Sequence, residues 1–151
     1  MMTIEQAVEL AAEWHEGQVD KVDQPYIFHL MRVATSVLPK YAIPAILHDI
    51  LEDSEVGHGG LTRAGVSLVD VSTVIRLTWL NETYEEYITN IIESGDQAAL
   101  EIKLADLHDH LYDNPSSLKR GKKAEKYESA LHRIEMEYLR RRRIAREPDD
   151  E

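Results

Sequence analysis

Cysteine is absent from the 151 residues. Disulfides and thiolate metal sites are excluded together, so a transition metal bound here has to use histidine and carboxylate ligands. Also missing is any run of eighteen or more apolar residues, and the opening MMTIEQAVELAAEWHEG lacks the basic-then-apolar layout of a secretory leader. The expectation is a cytoplasmic protein with no membrane span. What is present is 43% apolar residues in short periodic runs, at a length that suits one domain able to bury a core without staples.

Positive charge is scarce over most of the chain. Residues 1–117 hold 6 Lys and Arg against 20 Asp and Glu, whereas residues 118–151 hold 11 against 8, for a total of −11. An acidic body repels polyanions, which argues against nucleic acid as its ligand; a small anionic ligand stays compatible where cations line its site. The basic end carries YLRRRRIAR. Its arginines suit the negative end of a helix dipole, or else an acidic partner or nucleic acid.

Nearly every segment reads as helix. Thr3 with Gln6, and Thr83 with Glu86, have the spacing of a capping box, and Asp96 is placed to cap the helix QAALEIKLADLHDHLYDN. Pro25 and Pro44 suit the first turns of YIFHLMRVATSVL and AILHDILED, while the glycines of SEVGHGGLTRAG predict a loop. A helix is expected from Ser67 to about Leu80 and a long amphipathic one from about Leu118 to Arg146. Together these predict a single all-α bundle of six or seven helices over residues 1–146, with 147–151 as a frayed tail.

Several polar residues interrupt the apolar faces. In AILHDILED, read as one helix, His48 and Glu52 share a face and Asp49 and Asp53 form a second pair beside it. His29 lies among Phe28, Leu30, Val33 and Val37, and Asp106 among Ile102, Ala105 and Leu107. Carboxylates beside an apolar wall need cations, donors or water. Convergence of His29, His48, Asp49 and Asp106 gives a mixed nitrogen and oxygen site suited to a divalent ion such as Mn²⁺, Fe²⁺ or Zn²⁺. Lys21 and Lys103 are cations available for a phosphate, Tyr26 and Tyr127 are surfaces for a base, and His110 stands close enough to Asp106 to meet a substrate.

These pieces resemble a known family. The adjacent His48 and Asp49 are similar to the signature of HD-superfamily metal-dependent phosphohydrolases. AAEWHEGQ, PYIFH, AILHDILED and IKLADLHDHL, in that order over residues 7 to 113, resemble the hydrolase domain of the RelA/SpoT alarmone enzymes and their small stand-alone forms. EKYESAL, around Tyr127, resembles a later segment of the same family. The resemblance implies that His29, His48, Asp49 and Asp106 bind one metal, typically Mn²⁺, with Fe²⁺, Zn²⁺ or Co²⁺ as alternatives. It puts Glu52 and Asp53 at the catalytic acidic positions and implies hydrolysis of the 3′-pyrophosphate of (p)ppGpp. Where the family usually carries an arginine-lysine pair this chain has Asp20 and Lys21, and where it often has asparagine this chain has His110. Hydrolysis of another (deoxy)nucleotide phosphate, or a non-catalytic nucleotide-binding module, are the other functions these residues fit.

Overall fold

The computed structural model describes residues 1–53, 55–114 and 121–146. Helix α1, Ile4–Trp14, starts at Thr3, whose side chain accepts from the Gln6 N–H while the Gln6 side chain accepts from the Thr3 N–H. Its inner face, Ala7 and Ala11, is fully buried. Helix α2, Ile27–Thr35, buries His29, Leu30, Val33 and Ala34. A 3₁₀ turn at Pro39–Tyr41 leads into α3, Ala42–Ile46, and α4 follows at Ile50–Asp53. After them come α5, Gly57–Arg63, and α6, Leu68–Arg76, the latter capped by Ser67.

Helix α7, Tyr84–Glu93, begins with the expected capping box at Thr83 and Glu86. Helix α8, Gln97–His108, is capped by Asp96 and runs on as a π-helical turn, Asp109–Asp113. Ala99, Leu100, Ile102, Lys103, Asp106 and Leu107 form the buried face of α8 and most of its other side is half-buried, and it packs against α2, α6, α7 and α9, which makes it the central helix. The long α9, Lys122–Ile144, packs along α8 and α7 through Ala130, Leu131 and Ile134. The expected all-α bundle is what forms, in shorter pieces, and the described residues contain no strand.

Two expectations need correction. AILHDILED is not one helix: the chain leaves α-geometry at 47–49, where the N–H groups of Ile50 and Glu52 bond three residues back, to Leu47 and Asp49. His48 helps to make the break, because its Nδ1 takes the Ala45 carbonyl at 2.7 Å and competes with the helical ladder. The i,i+4 pairing read from a continuous helix therefore does not apply. The glycine-rich stretch, expected as a loop, instead forms α5, entered through Gly57 at φ +61° and anchored by the fully buried Leu61. The expected tail at 147–151 lies outside the described residues.

Candidate metal centre and cleft

Three parts of the chain meet at the face of α2. His29, from α2, points its Nε2 to within 3.2 Å of Asp106 Oδ1, from α8, and 3.7 Å of Asp49 Oδ2. His48 and Asp49 reach the same place from the break between α3 and α4. His48 Nε2 lies 3.2 Å from Asp49 Oδ2 and 3.5 Å from Asp106 Oδ1. His29 Nε2, His48 Nε2 and Asp106 Oδ1 are buried, and none is aligned with a hydrogen-bond partner among the described residues. Buried polar atoms are normally satisfied, so three unsatisfied ones facing a common point call for a shared partner. Ligand atoms of His29, His48 and Asp106 all lie within 4.8 Å of one another, which is a cluster able to hold a divalent ion.

The surrounding contacts set the orientation of these groups. His48 Nδ1–H donates to the Ala45 carbonyl, which turns Nε2 toward the cluster as the nitrogen that would ligate. The Tyr26 hydroxyl donates to Asp49 Oδ2 at 2.5 Å. Lys103, buried on α8, donates to Asp106 Oδ2 at 2.8 Å, and His110 Nε2 lies 3.2 Å from Asp106 Oδ1. Burial works against charge on the imidazoles, but Asp106 and Asp109 outweigh it at His29 and raise that ring to about 9; Asp49 and Asp106 raise His48 well above its ordinary value. Burial likewise opposes ionisation of Asp49 and Asp106, yet His48 holds the first, and Lys103 the second, well below the usual carboxylate range. Without a metal the cluster keeps protons on its histidines, and a dication has to displace them.

Above this floor opens a cleft of about 210 Å³, lined by Tyr26, Asp49, Glu52, Leu77, Trp79, Tyr84, Tyr87, Lys103, Asp106, His110, Lys123 and Tyr127. Glu52 is exposed as a residue and lines the cleft beside Leu77 and Trp79. Desolvation raises it to about 7, against the pull of the Trp79 N–H, which donates to its Oε1. A larger groove, of about 620 Å³, runs beside His132, Met136, Leu139 and Arg143 on α9 and is lined by none of these groups.

Of the residues singled out in the sequence, His29, His48, Asp49 and Asp106 converge, and Glu52, Tyr26, Lys103, His110 and Tyr127 line the cleft beside them. The Asp53 side chain lies outside what the structure describes. Lys21 is exposed and stands against Lys123, whose ammonium is pushed below its ordinary value by burial and then by Lys21. Asp20 does not line the cleft. Its carboxylate accepts from the N–H groups of Val22 and Gln24 and from Asn114 Nδ2, which occupies it in holding the turn. The arginine run is partly used within the chain: Arg140 and Arg141 pair with Glu137, and Arg141 also reaches the Ile92 carbonyl.

The sequence reading missed Asp109 and Arg32. Asp109, buried in the π-helical turn, accepts from His29 Nδ1 at 2.7 Å and from Arg32 Nε and Nη2 at 2.5 and 3.0 Å. Asp109 bridges the His29 ring and the Arg32 guanidinium, and those two groups keep its carboxyl at about 2 despite its burial. The available signal was spacing: Arg32 stands three residues after His29, and Asp109 three after Asp106. Asp109→Asn is expected to weaken Mn²⁺ binding by about 10- to 100-fold, because the ring keeps its place but loses the charged acceptor behind it. Calorimetric titration measures this, and an unaltered Kd would remove Asp109 from the site.

An all-helical bundle with paired histidines and aspartates converging below a cleft is the arrangement that the resemblance to HD-type domains leads one to expect. No family model matches the chain. Two GTP pyrophosphokinases, from Streptomyces antibioticus and Streptomyces coelicolor, are 28% and 30% identical over 155 aligned positions that take in 91% of this chain. The chain spans about a fifth of the length of these curated relatives, 18% in each case. Among solved structures, a metazoan ortholog of SpoT that hydrolyzes ppGpp and plays a role in starvation responses superposes with a TM-score of 0.62. That match has 21% identity and covers 91% of this chain and 94% of that one, a likeness of fold. In sequence and in fold, the chain resembles the HD-type domain of the RelA/SpoT group.

Proposed function

We propose that the protein is a metal-dependent phosphohydrolase that removes the 3′-pyrophosphate of (p)ppGpp. The observation that carries this reading is the convergence of three buried ligand atoms with no aligned hydrogen bond, on His29, His48 and Asp106, at the floor of a cleft lined by lysines and aromatic rings. His29, His48, Asp49 and Asp106 would hold one divalent ion, with Mn²⁺ as the first candidate and Fe²⁺, Zn²⁺ and Co²⁺ as others. Such an ion supplies Lewis acidity and lowers the pKa of water bound to it.

The chain's own residues do the rest. Glu52, with its raised carboxyl, is placed to take a proton from the attacking water, and the Trp79 N–H fixes its orientation. Asp53 occupies the second acidic position of the family motif. Lys103 and His110, both beside Asp106, and Lys123 at the rim face a phosphate chain, with Lys21 behind Lys123. Tyr26 holds Asp49 through its hydroxyl, and Tyr127 forms part of the aromatic wall. In the reaction, water oxygen bonds to the phosphorus attached to the ribose 3′-oxygen, that P–O bond breaks, and the 3′-oxygen leaves with a proton. The products of ppGpp are then GDP and pyrophosphate.

A nucleotide panel in Mn²⁺ tests the assignment. Release of GDP and pyrophosphate from ppGpp, stopped by a chelator, is the expected result. Turnover of other nucleotide phosphates in its place would transfer the assignment to a different nucleotide, and binding without turnover would make the chain a non-catalytic module.

A further inference from the structure

The described aromatic residues lining the cleft differ in exposure. Tyr84 and Tyr87 are buried and Tyr26 and Tyr127 half-buried, whereas Trp79 is 40% exposed. Its ring is nevertheless held. The indole N–H donates to the Glu82 carbonyl at 2.8 Å, and the ring meets Tyr84 edge-on at 5.1 Å between centroids and lies nearly parallel to Tyr87 at 6.4 Å. A rigid, partly exposed ring loses little freedom when something stacks on it. Beside it, the buried Tyr84 hydroxyl has no well-aligned hydrogen bond among the described residues and has the Lys103 ammonium as its polar neighbour. A buried hydroxyl so weakly satisfied beside a cleft can take a further polar group from a ligand.

Cations stand near the same wall. Lys126 Nζ lies 4.7 Å above the Trp79 ring and 4.6 Å above that of Tyr84, and Lys123 lines the rim. A ligand that satisfies all of these has a planar π-face, a polar edge and attached anionic groups. We infer that Trp79 and Tyr84 form a nucleobase platform at the cleft mouth, the indole stacking on the base and the Tyr84 hydroxyl meeting its polar edge. This rests on the reading of the cleft as a nucleotide site. Trp79 also joins the platform to the chemistry, because its own main-chain N–H orients Glu52. The bland account of the ring, a surface tryptophan covered by the Lys126 stem, predicts no response to a base.

The chain has two tryptophans, so Trp14→Phe leaves Trp79 as the sole indole reporter. With the protein loaded with diamagnetic Zn²⁺, GDP should quench its fluorescence saturably, whereas pyrophosphate, which lacks a base, should leave it unchanged. Trp79→Leu should raise KM for the nucleotide by on the order of 10- to 100-fold, the range of lost base stacking, with a much smaller effect on kcat, since the main-chain N–H to Glu52 remains. Trp79→Phe should recover part of the loss, and Tyr84→Phe should raise KM without impairing pyrophosphate inhibition. If calorimetry shows GDP bound while fluorescence and the KM of Trp79→Leu stay put, the platform is wrong and the hydrolase reading stands. If neither GDP nor ppGpp binds the wild-type protein and ppGpp is not turned over, both are wrong.

Discussion

Glu52→Gln should lower turnover by about 10²- to 10⁴-fold while leaving metal binding intact, the range ascribed to a positioned general base. Glutamine keeps the length of the side chain and an oxygen to accept the Trp79 N–H, so the substitution removes the proton acceptor and little else. The same variant has a signature in stability. Glu52 goes from an ordinary carboxyl value of 4.5 to about 7 on folding, chiefly through desolvation. The folded protein therefore binds more protons than the unfolded chain between those two values, and stability is lost as pH rises through that window. In chelator, Glu52→Gln should gain on the wild type at pH 8 and show no such gain at pH 4. Retained turnover, or an equal melting difference at both pH values, would take Glu52 out of the role of base.

The second large effect belongs to Lys103. Burial alone would discharge this lysine, but Asp106 at 2.8 Å holds its ammonium well above the ordinary value. Lys103→Met leaves Asp106 buried without its nearest cation. Breaking one side of a buried pair costs about 3–5 kcal/mol, and the protonated His29 and His48 offset part of it, so the low end of that range is expected. For a chain of this size the melting temperature of the metal-free protein falls by roughly 10 °C. Saturating Mn²⁺ supplies Asp106 with a new positive partner and should narrow the gap between variant and wild type. Thermal unfolding with and without chelator decides the matter; identical curves for the two proteins in chelator would mean that Asp106 does not depend on Lys103.

The two results separate what a metal site needs for chemistry from what it needs to exist. Glu52 is partly exposed and replaceable without structural damage. Lys103 and Asp106 form an ion pair inside the central helix, and neither stands comfortably without the other. Three cations meet at Asp106, the protonated His29 and His48 and the Lys103 ammonium, with the His110 ring beside them. A site so provided with cations is balanced for a proton-loaded, metal-free state, and exchange of those protons for a dication changes its charge only modestly.

Local chemistry was enough to read much of this from the sequence. Capping boxes at Thr3 and Thr83 and the Asp96 cap form between residues three apart, so their partners are visible in the text. His29 and Asp106 stood out because a polar residue in an apolar periodicity has to be buried, and burial demands a partner. What the text did not reveal depends on contacts across the fold. The helix breaks at His48 because its side chain takes a carbonyl, a choice that periodicity does not register. Helix α5 forms across glycines because Leu61 finds a place in the core. Asp109 reads as one more surface acid until His29 and Arg32, seventy-seven and more residues away, close on it.

The sequence by itself determined the helical class, the caps and which polar residues had to find partners, since these follow from neighbours along one turn and from the cost of burying charge. Only the tertiary structure decided which histidine meets which carboxylate, that Lys103 faces inward, and that Trp79 stands at the cleft mouth with its N–H on Glu52. Those are pairings between distant segments, and their energies appear only when packing removes the water between them.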